Sequence, residues 1–338
     1  MERDNKKVIY WLLTGCFIIF IMVVIGGITR LTHSGLSISN YKLISGTLPP
    51  MNELEWTEAF DLYKQYPEYQ KLNNHFNLQD FKDIYFWEWL HRFIGRMIGL
   101  VFFIPFLYFL ITKQLTKPTI KKAIILLCMG AFQGFMGWYM VKSGLVDNPD
   151  VSHYRLAAHL ITAFITFAYT FWVALDLIFP NRKKANIRFR NLIRWGLAIL
   201  ILQIVYGAFV AGLDAGFIHN HWPMMNEGEF IHETVYIEQS PLYKNFIEGK
   251  SGVQFVHRIL AYIVVIFIFI IWRKSKKLEL TILQVRSINY LLAIVGIQFI
   301  LGVFTILLHV PVWLGVAHQV GAFFLLSAMT FTLHKFTK

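Results

Sequence analysis

Charge is scarce in this chain. Only 15% of its 338 residues are Asp, Glu, Lys or Arg, against 56% hydrophobic residues, and the mean hydropathy is +0.50. A soluble domain carries about a quarter charged residues, so an ordinary soluble fold is excluded. Cysteine is scarcer still. Cys16 and Cys128 both fall inside apolar runs, which leaves no disulfide framework for the loops and marks both thiols as packing groups. Acidic residues number 20 against 32 Lys and Arg, for a formal net charge of +12. That excess does not indicate a nucleic-acid partner, because the basic residues sit in short clusters between apolar runs. A signal-peptide pattern is missing too: the first apolar run continues for about 20 residues without a small-x-small cleavage site and reads as a retained span.

What is present is a series of runs long enough to cross a hydrocarbon core of about 30 Å. They lie near residues 8–28, 84–111, 119–141, 152–178, 190–212, 251–272, 283–308 and 310–334. The last two are separated only around His309 and Pro311. Basic clusters precede the first span (Arg3, Lys6, Lys7), divide the second from the third (Lys113, Lys117, Lys121, Lys122), precede the fifth (Arg182, Lys183, Lys184, Arg188, Arg190) and follow the sixth (Arg273, Lys274, Lys276, Lys277). The alternate connections are acid-rich. The positive-inside rule therefore places both termini in the cytoplasm. The first outer loop, near residues 29–83, is long enough to carry structure of its own. Within it Trp56, Phe60 and Tyr63 recur at helical spacing after the capping candidate Asn52, which predicts an amphipathic helix resting on the membrane or on the bundle.

The chain repeats itself. His91 and His257 are 166 residues apart, Gln133 and Gln298 are 165 apart, and His159 and His318 are 159 apart. Each half holds four spans, so the halves share an orientation. The expected fold is an all-α membrane protein of eight transmembrane helices in two pseudo-twofold-related four-helix bundles, residues 1–178 with the long outer loop and residues 190–338.

Ionisable groups inside spans are costly and mark function. A lone histidine there is often satisfied by a backbone carbonyl, but four at one depth, roughly 10 Å inside the outer ends, argue for more. Two imidazoles facing across a bundle form an axial pair for haem iron, whereas zinc would want further ligands nearby. The metal ligands expected are His91, His159, His257 and His318. Arg92, Arg96 and Arg258 lie in the outer halves of their spans and suit haem propionates, the alternative being snorkelling to lipid phosphate. The halves differ where it matters: Glu88 precedes His91, and Gln254 stands in the matching position before His257. A carboxylate one turn from an axial ligand can act as a base or stabilise developing positive charge, and it can also merely pair with Arg92.

The runs Gly26-Gly27-Ile28-Thr29-Arg30-Leu31-Thr32-His33-Ser34-Gly35-Leu36-Ser37, Pro67-Glu68-Tyr69-Gln70, Phe81-Lys82-Asp83-Ile84-Tyr85-Phe86-Trp87-Glu88-Trp89-Leu90-His91-Arg92, Gln133-Gly134 and Val256-His257-Arg258 resemble the haem A synthase family. The resemblance covers nearly the whole chain. It implies oxidation of the methyl group of haem O at ring position 8 to a formyl group, by successive hydroxylations with water-derived oxygen, for cytochrome oxidase biogenesis. It implies His91 and His159 as substrate-haem ligands, His257 and His318 (with Arg258) as the binding site of a permanent haem b, Glu88 as the catalytic carboxylate, and Arg92 and Arg96 as propionate candidates. Some members carry a cysteine pair in the first outer loop; its absence here is similar to the mitochondrial and alphaproteobacterial type. The implied partners are haem O synthase (protohaem farnesyltransferase), an electron acceptor, membrane lipid and, as a possible homo-oligomer, a second copy of the chain. The implied location is the inner cell membrane, with the haem sites toward its extracytoplasmic side. The rival reading is a di-haem b cytochrome that only moves electrons, which gives Glu88 no purpose.

Overall fold

The computed structural model describes residues 5–38, 48–142, 149–180 and 186–337. Arg3, Arg182, Lys183 and Lys184, used above for orientation, lie outside the described residues. The described residues form helices without strands: α1 (Lys6–Leu31), α2 (Glu53–Tyr63), α3 (Pro67–Lys71), α4 (Leu78–Ile111), α5 (Lys117–Val141), α6 (His153–Ile178), α7 (Ile187–Gly212), α8 (Thr234–Ile237), α9 (Lys250–Ser275), α10 (Ile282–Leu307) and α11 (Val312–Lys335). Eight of them, α1, α4–α7 and α9–α11, are long and apolar enough to cross a membrane, matching the eight runs in the sequence.

Caps fix where these helices begin. The Asn186 side chain accepts from Phe189 N–H at the start of α7, and Thr281 forms a capping box with Gln284 at the start of α10. At α4 the cap moves a boundary. The sequence pattern puts the span near residue 84, but Asn77 accepts from the Gln79 and Asp80 amides while the Asp80 carboxylate accepts from Asn77 N–H. The helix therefore starts six residues earlier and runs for 34 residues, about 51 Å at 1.5 Å per residue. Its first turns exceed what the hydrocarbon core requires. The predicted loop helix is α2, capped by Asn52 through Glu55 N–H. Phe60 and Tyr63 of α2 pack with Phe81 and Ile84 of α4, with Trp56 and Tyr69 against them, so α2 rests on a helix of the bundle.

The tight connection between the last two spans is built by His309 and Val310, both at positive φ, with Val310 N–H donating to Thr305 O at 2.8 Å. Pro311 then opens α11.

Contacts divide the described chain into two compact units, residues 17–159 and residues 1–16 with 160–338. In the second, α7 packs on α9, α9 on α10, α10 on α11 and α11 on α7, a closed ring of four helices. Its interior follows the helical period: Ile193, Gly196, Leu200 and Ile204 on α7 are buried, as are Leu260, Val264, Ile268 and Ile271 on α9. In the first unit α4 packs on α5 and α2 on α4. Phe103, Ile104 and Ile111 of α4 and Phe132 and Phe135 of α5 remain exposed, as expected of surfaces solvated by lipid rather than water.

Candidate functional site

The unit formed by residues 1–16 and 160–338 brings His257 of α9 against His318 of α11. Their ring centroids are 6.4 Å apart and the ring planes cross at 84°. Two metal–imidazole bonds of about 2 Å plus the two ring radii span roughly that distance, so the separation suits an axial pair. Both rings back onto glycines of neighbouring helices. A Cβ added to Gly207 of α7 would lie 3.1 Å from His257 Cε1, and one added to Gly302 of α10 would lie 2.8 Å from His318 Cε1. Glutamines complete the setting: Gln203 Nε2 is 3.4 Å from His257 Nε2, while Gln298 Nε2 is 3.2 Å from His318 Nδ1 and donates to His318 O at 2.9 Å. Gln298 Oε1 and His257 Nδ1 are buried without hydrogen-bond partners.

The unit of residues 17–159 repeats the pattern with different residues. His91 of α4 and His159 of α6 lie within electrostatic reach of each other. A Cβ on Gly26 of α1 would lie 3.1 Å from His91 Cε1, and one on Gly137 of α5 would lie 3.3 Å from His159 Cε1. Gln133 Nε2 is 3.1 Å from His159 Nδ1 and donates to His159 O at 2.9 Å. His91 Nδ1 is buried without a partner. Both histidine pairs thus show a glycine cradle under each ring, and one ring of each pair, His91 or His257, keeps a buried Nδ1 without a hydrogen-bond partner, features compatible with an axially ligated haem. Among the described residues no group of three or more His, Cys, Asp and Glu gathers as a metal site.

One turn before His91, Glu88 is buried with 3% of its surface exposed. Its carboxylate accepts from Arg92 Nη2 at 2.6 Å, Ser37 Oγ at 2.7 Å and Ile38 N–H at 2.7 Å, and Arg92 also donates to Ile38 O at 2.8 Å. The Glu88–Arg92 pairing that the spacing allows is therefore formed, and it is anchored to the segment after α1. In the matching place Gln254, 1% exposed, donates to Ala215 O at 2.8 Å and His219 O at 3.3 Å. Arg258 donates to His219 O, His221 O and Met224 O and keeps a buried, unpartnered Nε. The two terminal nitrogens of Arg258 are thus engaged by loop carbonyls. Arg96 is half-buried on α4.

The chain matches the family described as "Cytochrome oxidase assembly protein" over residues 9–330. It is 63% identical over 341 residues to the "Heme A synthase" of Flavobacterium johnsoniae, with 100% of each chain covered. It is 60% identical to that of Flavobacterium psychrophilum, covering 99% of this chain and 100% of the relative, and 44% identical to that of Nitrosospira multiformis, covering 98% and 94%. The chain belongs to the haem A synthase family. Haem A synthases are oxidoreductases that convert haem O to haem A for cytochrome oxidase assembly, so the family implies a haem-related group.

Several residues of this haem A synthase fold were not singled out above for a site role: Gly26, Gly137, Gly207 and Gly302, the glutamine Gln203, and Ser37 and Ile38 beside Glu88. Three of the glycines carry a signal in the sequence. Gln133 and Gly137, Gln203 and Gly207, and Gln298 and Gly302 are each four residues apart and so share a helix face. Ser37 and Ile38 carry none, because the 50-residue separation from Glu88 is closed only by tertiary packing.

Proposed function

We propose that the pair His91 and His159 flanks the substrate haem O, that Glu88 is the catalytic carboxylate beside it, and that His257 and His318 ligate a resident haem b. The net change, a ring methyl plus water giving a formyl group, four protons and four electrons, sets the tasks of the protein. It must fix the porphyrin, take up protons at the reacting carbon's substituent and pass electrons on. The glycine-backed imidazoles hold the ring plane. Glu88, held by Arg92, Ser37 and Ile38, presents a fixed carboxylate for proton removal or for offsetting positive charge developing at the methyl. The resident haem, when bound, supplies one-electron redox chemistry and serves as electron conduit to an acceptor. Arg92 and Arg96 remain the propionate candidates, and Arg258, whose Nε is buried without a partner, belongs to the haem b site. The chain belongs with the cysteine-lacking type, sits in the inner membrane with both haem sites toward the extracytoplasmic side, and receives haem O from the farnesyl-transferring synthase.

The observation that carries this reading is the unlike position one turn before the first histidine of two similar sites, a buried carboxylate at 88 and a carboxamide at 254. Purification in mild detergent followed by haem extraction, chromatography and mass analysis tests it. Haem b together with haem O, haem A or a hydroxylated form supports a porphyrin-modifying enzyme. Two equivalents of haem b alone, from cells that make haem O, support the electron-transfer cytochrome instead.

A further inference from the structure

Glu68 and Glu88 are the two buried carboxylates among the described residues, and both lie in the unit of residues 17–159. Glu68, on α3, is 5% exposed. The fully buried Tyr63 hydroxyl accepts from Asn73 Nδ2 at 2.9 Å and forms a hydrogen bond to the Glu68 side chain, while Glu68 Oε2 has no partner at all. An orphaned buried oxygen of this kind calls for an explanation.

Its surroundings supply one. The Tyr63 ring lies 5.1 Å from that of Phe81, and Phe81, Ile84 and Glu88 follow one another along a single face of α4. Ser37 Oγ bridges the same strip, 3.5 Å from Ile84 O and 2.7 Å from Glu88 Oε2. The α2–α3 hairpin is therefore seated on the turns of α4 that lead to Glu88. The titratable groups acting on Glu68 from the packed elements are Tyr63 of α2 and Glu88 of α4. Burial pushes the Glu68 carboxyl up to about 8; the Tyr63 hydrogen bond opposes this and the charge of Glu88 adds to it. Tyr63 itself is raised, by burial first and then by the Glu68 charge.

Glu88 has a chemical need that its own partners do not meet. Arg92, Ser37 and Ile38 all act on it as donors. A carboxylate that takes up a proton in one round of methyl oxidation must release it before the next, and the whole reaction liberates four. We propose that Glu68 is the acceptor that clears Glu88: the proton held at the Glu88 carboxyl passes to Glu68 Oε2 and from there to water at the loop surface. In this exchange the O–H bond at Glu88 breaks as one forms at Glu68, through a bridging water where the gap exceeds hydrogen-bond length, and no electrons move. A relay group works best when its pKa lies near the operating pH, which is where burial sets this one. The inference rests on the reading of this unit as the substrate site.

The test uses the full-length, haem-loaded protein in detergent-dispersed membranes of cells that make haem O, with haem A measured after extraction from about pH 6 to about pH 9.5. In the parent protein the rate rises with pH through the region near 8 as Glu68 gains its accepting, charged form. Glu68→Gln should keep the haem spectrum, lose that rising limb and fall in rate about tenfold or more. Tyr63→Phe keeps the carboxyl but removes the hydrogen bond that favours its charge, so the limb should move to higher pH. A Glu68→Gln protein with the parent rate or the parent limb overturns the proposal, as does a Tyr63→Phe limb that stays in place. Tyr63→Phe decides the matter alone if Glu68→Gln loses its haem. Failure of the parent protein to form any haem A counts against the substrate-site reading instead.

Discussion

The two histidine pairs are built alike and finished differently. In each unit both histidine rings back onto glycines of neighbouring helices and a glutamine sits beside the second histidine, while His257 has a further glutamine, Gln203, beside it. One turn before the first histidine of each pair, the same helix face carries Glu88 with Arg92 in one unit and Gln254 with Arg258 in the other. The arginine reaches loop carbonyls in both units, Ile38 O in one and three carbonyls in the other. Much of the scaffold is therefore shared. What separates the sites chemically is a carboxylate able to take a proton, set where its counterpart is a carboxamide that donates to backbone. On the proposed reading the haem that is transformed lies by the first arrangement and the haem that stays lies by the second.

Removing the distinction should have the largest effect. Glu88→Gln gives both sites a carboxamide; haem A formation should fall by about 10²- to 10⁴-fold while the bis-histidine spectrum persists, as read by haem extraction and optical difference spectra. Wild-type turnover in that variant would show that the carboxylate is structural. Separating the two pairs comes next. His257→Ala should abolish the low-spin signal of the resident haem b in cells that make no haem O, whereas His91→Ala should leave it intact. Equal losses from the two variants would mean that the sites are interchangeable.

Smaller effects sharpen the likeness rather than the difference. Gly302→Ala places a Cβ 2.8 Å from His318, and Gly137→Ala places one 3.3 Å from His159. Overpacking of this kind costs about 1–3 kcal/mol, so Gly302→Ala should shift the electron-paramagnetic-resonance signature of its haem more than Gly137→Ala shifts that of its own. The reverse order would argue that the glycines do not set ring pose. A change of similar size is expected of Ser37→Ala, which removes one of three donors to Glu88. A hydrogen bond to a charged group contributes about 1.5–3 kcal/mol, and product formation should fall within the corresponding tenfold to roughly hundredfold range, with haem content unchanged.

The eight spans were legible because apolar length and helical period are local properties of the chain. The start of α4 was displaced because the capping box of Asn77 and Asp80 extends the helix through polar residues that hydropathy discounts. The histidines and Glu88 stood out as costly groups in apolar surroundings. Their company did not. The glycines beneath the imidazoles contribute no side chain to notice, although the glutamine four residues earlier marks three of them. The partners of Glu88, the loop carbonyls taken by Gln254 and Arg258, and the burial of Glu68 all depend on loops folding back over distant helix turns, and no spacing in the sequence encodes that.

The glycine cradles tie two quantities usually treated apart. The His257 ring occupies the gap between α9 and α7 that Gly207 leaves, and the His318 ring occupies the gap between α11 and α10 left by Gly302. Interhelical spacing and imidazole tilt are then one mechanical variable. A bilayer or detergent that lets the bundle breathe by a few tenths of an ångström would tilt these imidazoles with the helices, so on the proposed reading bundle stiffness is what holds the ring pose.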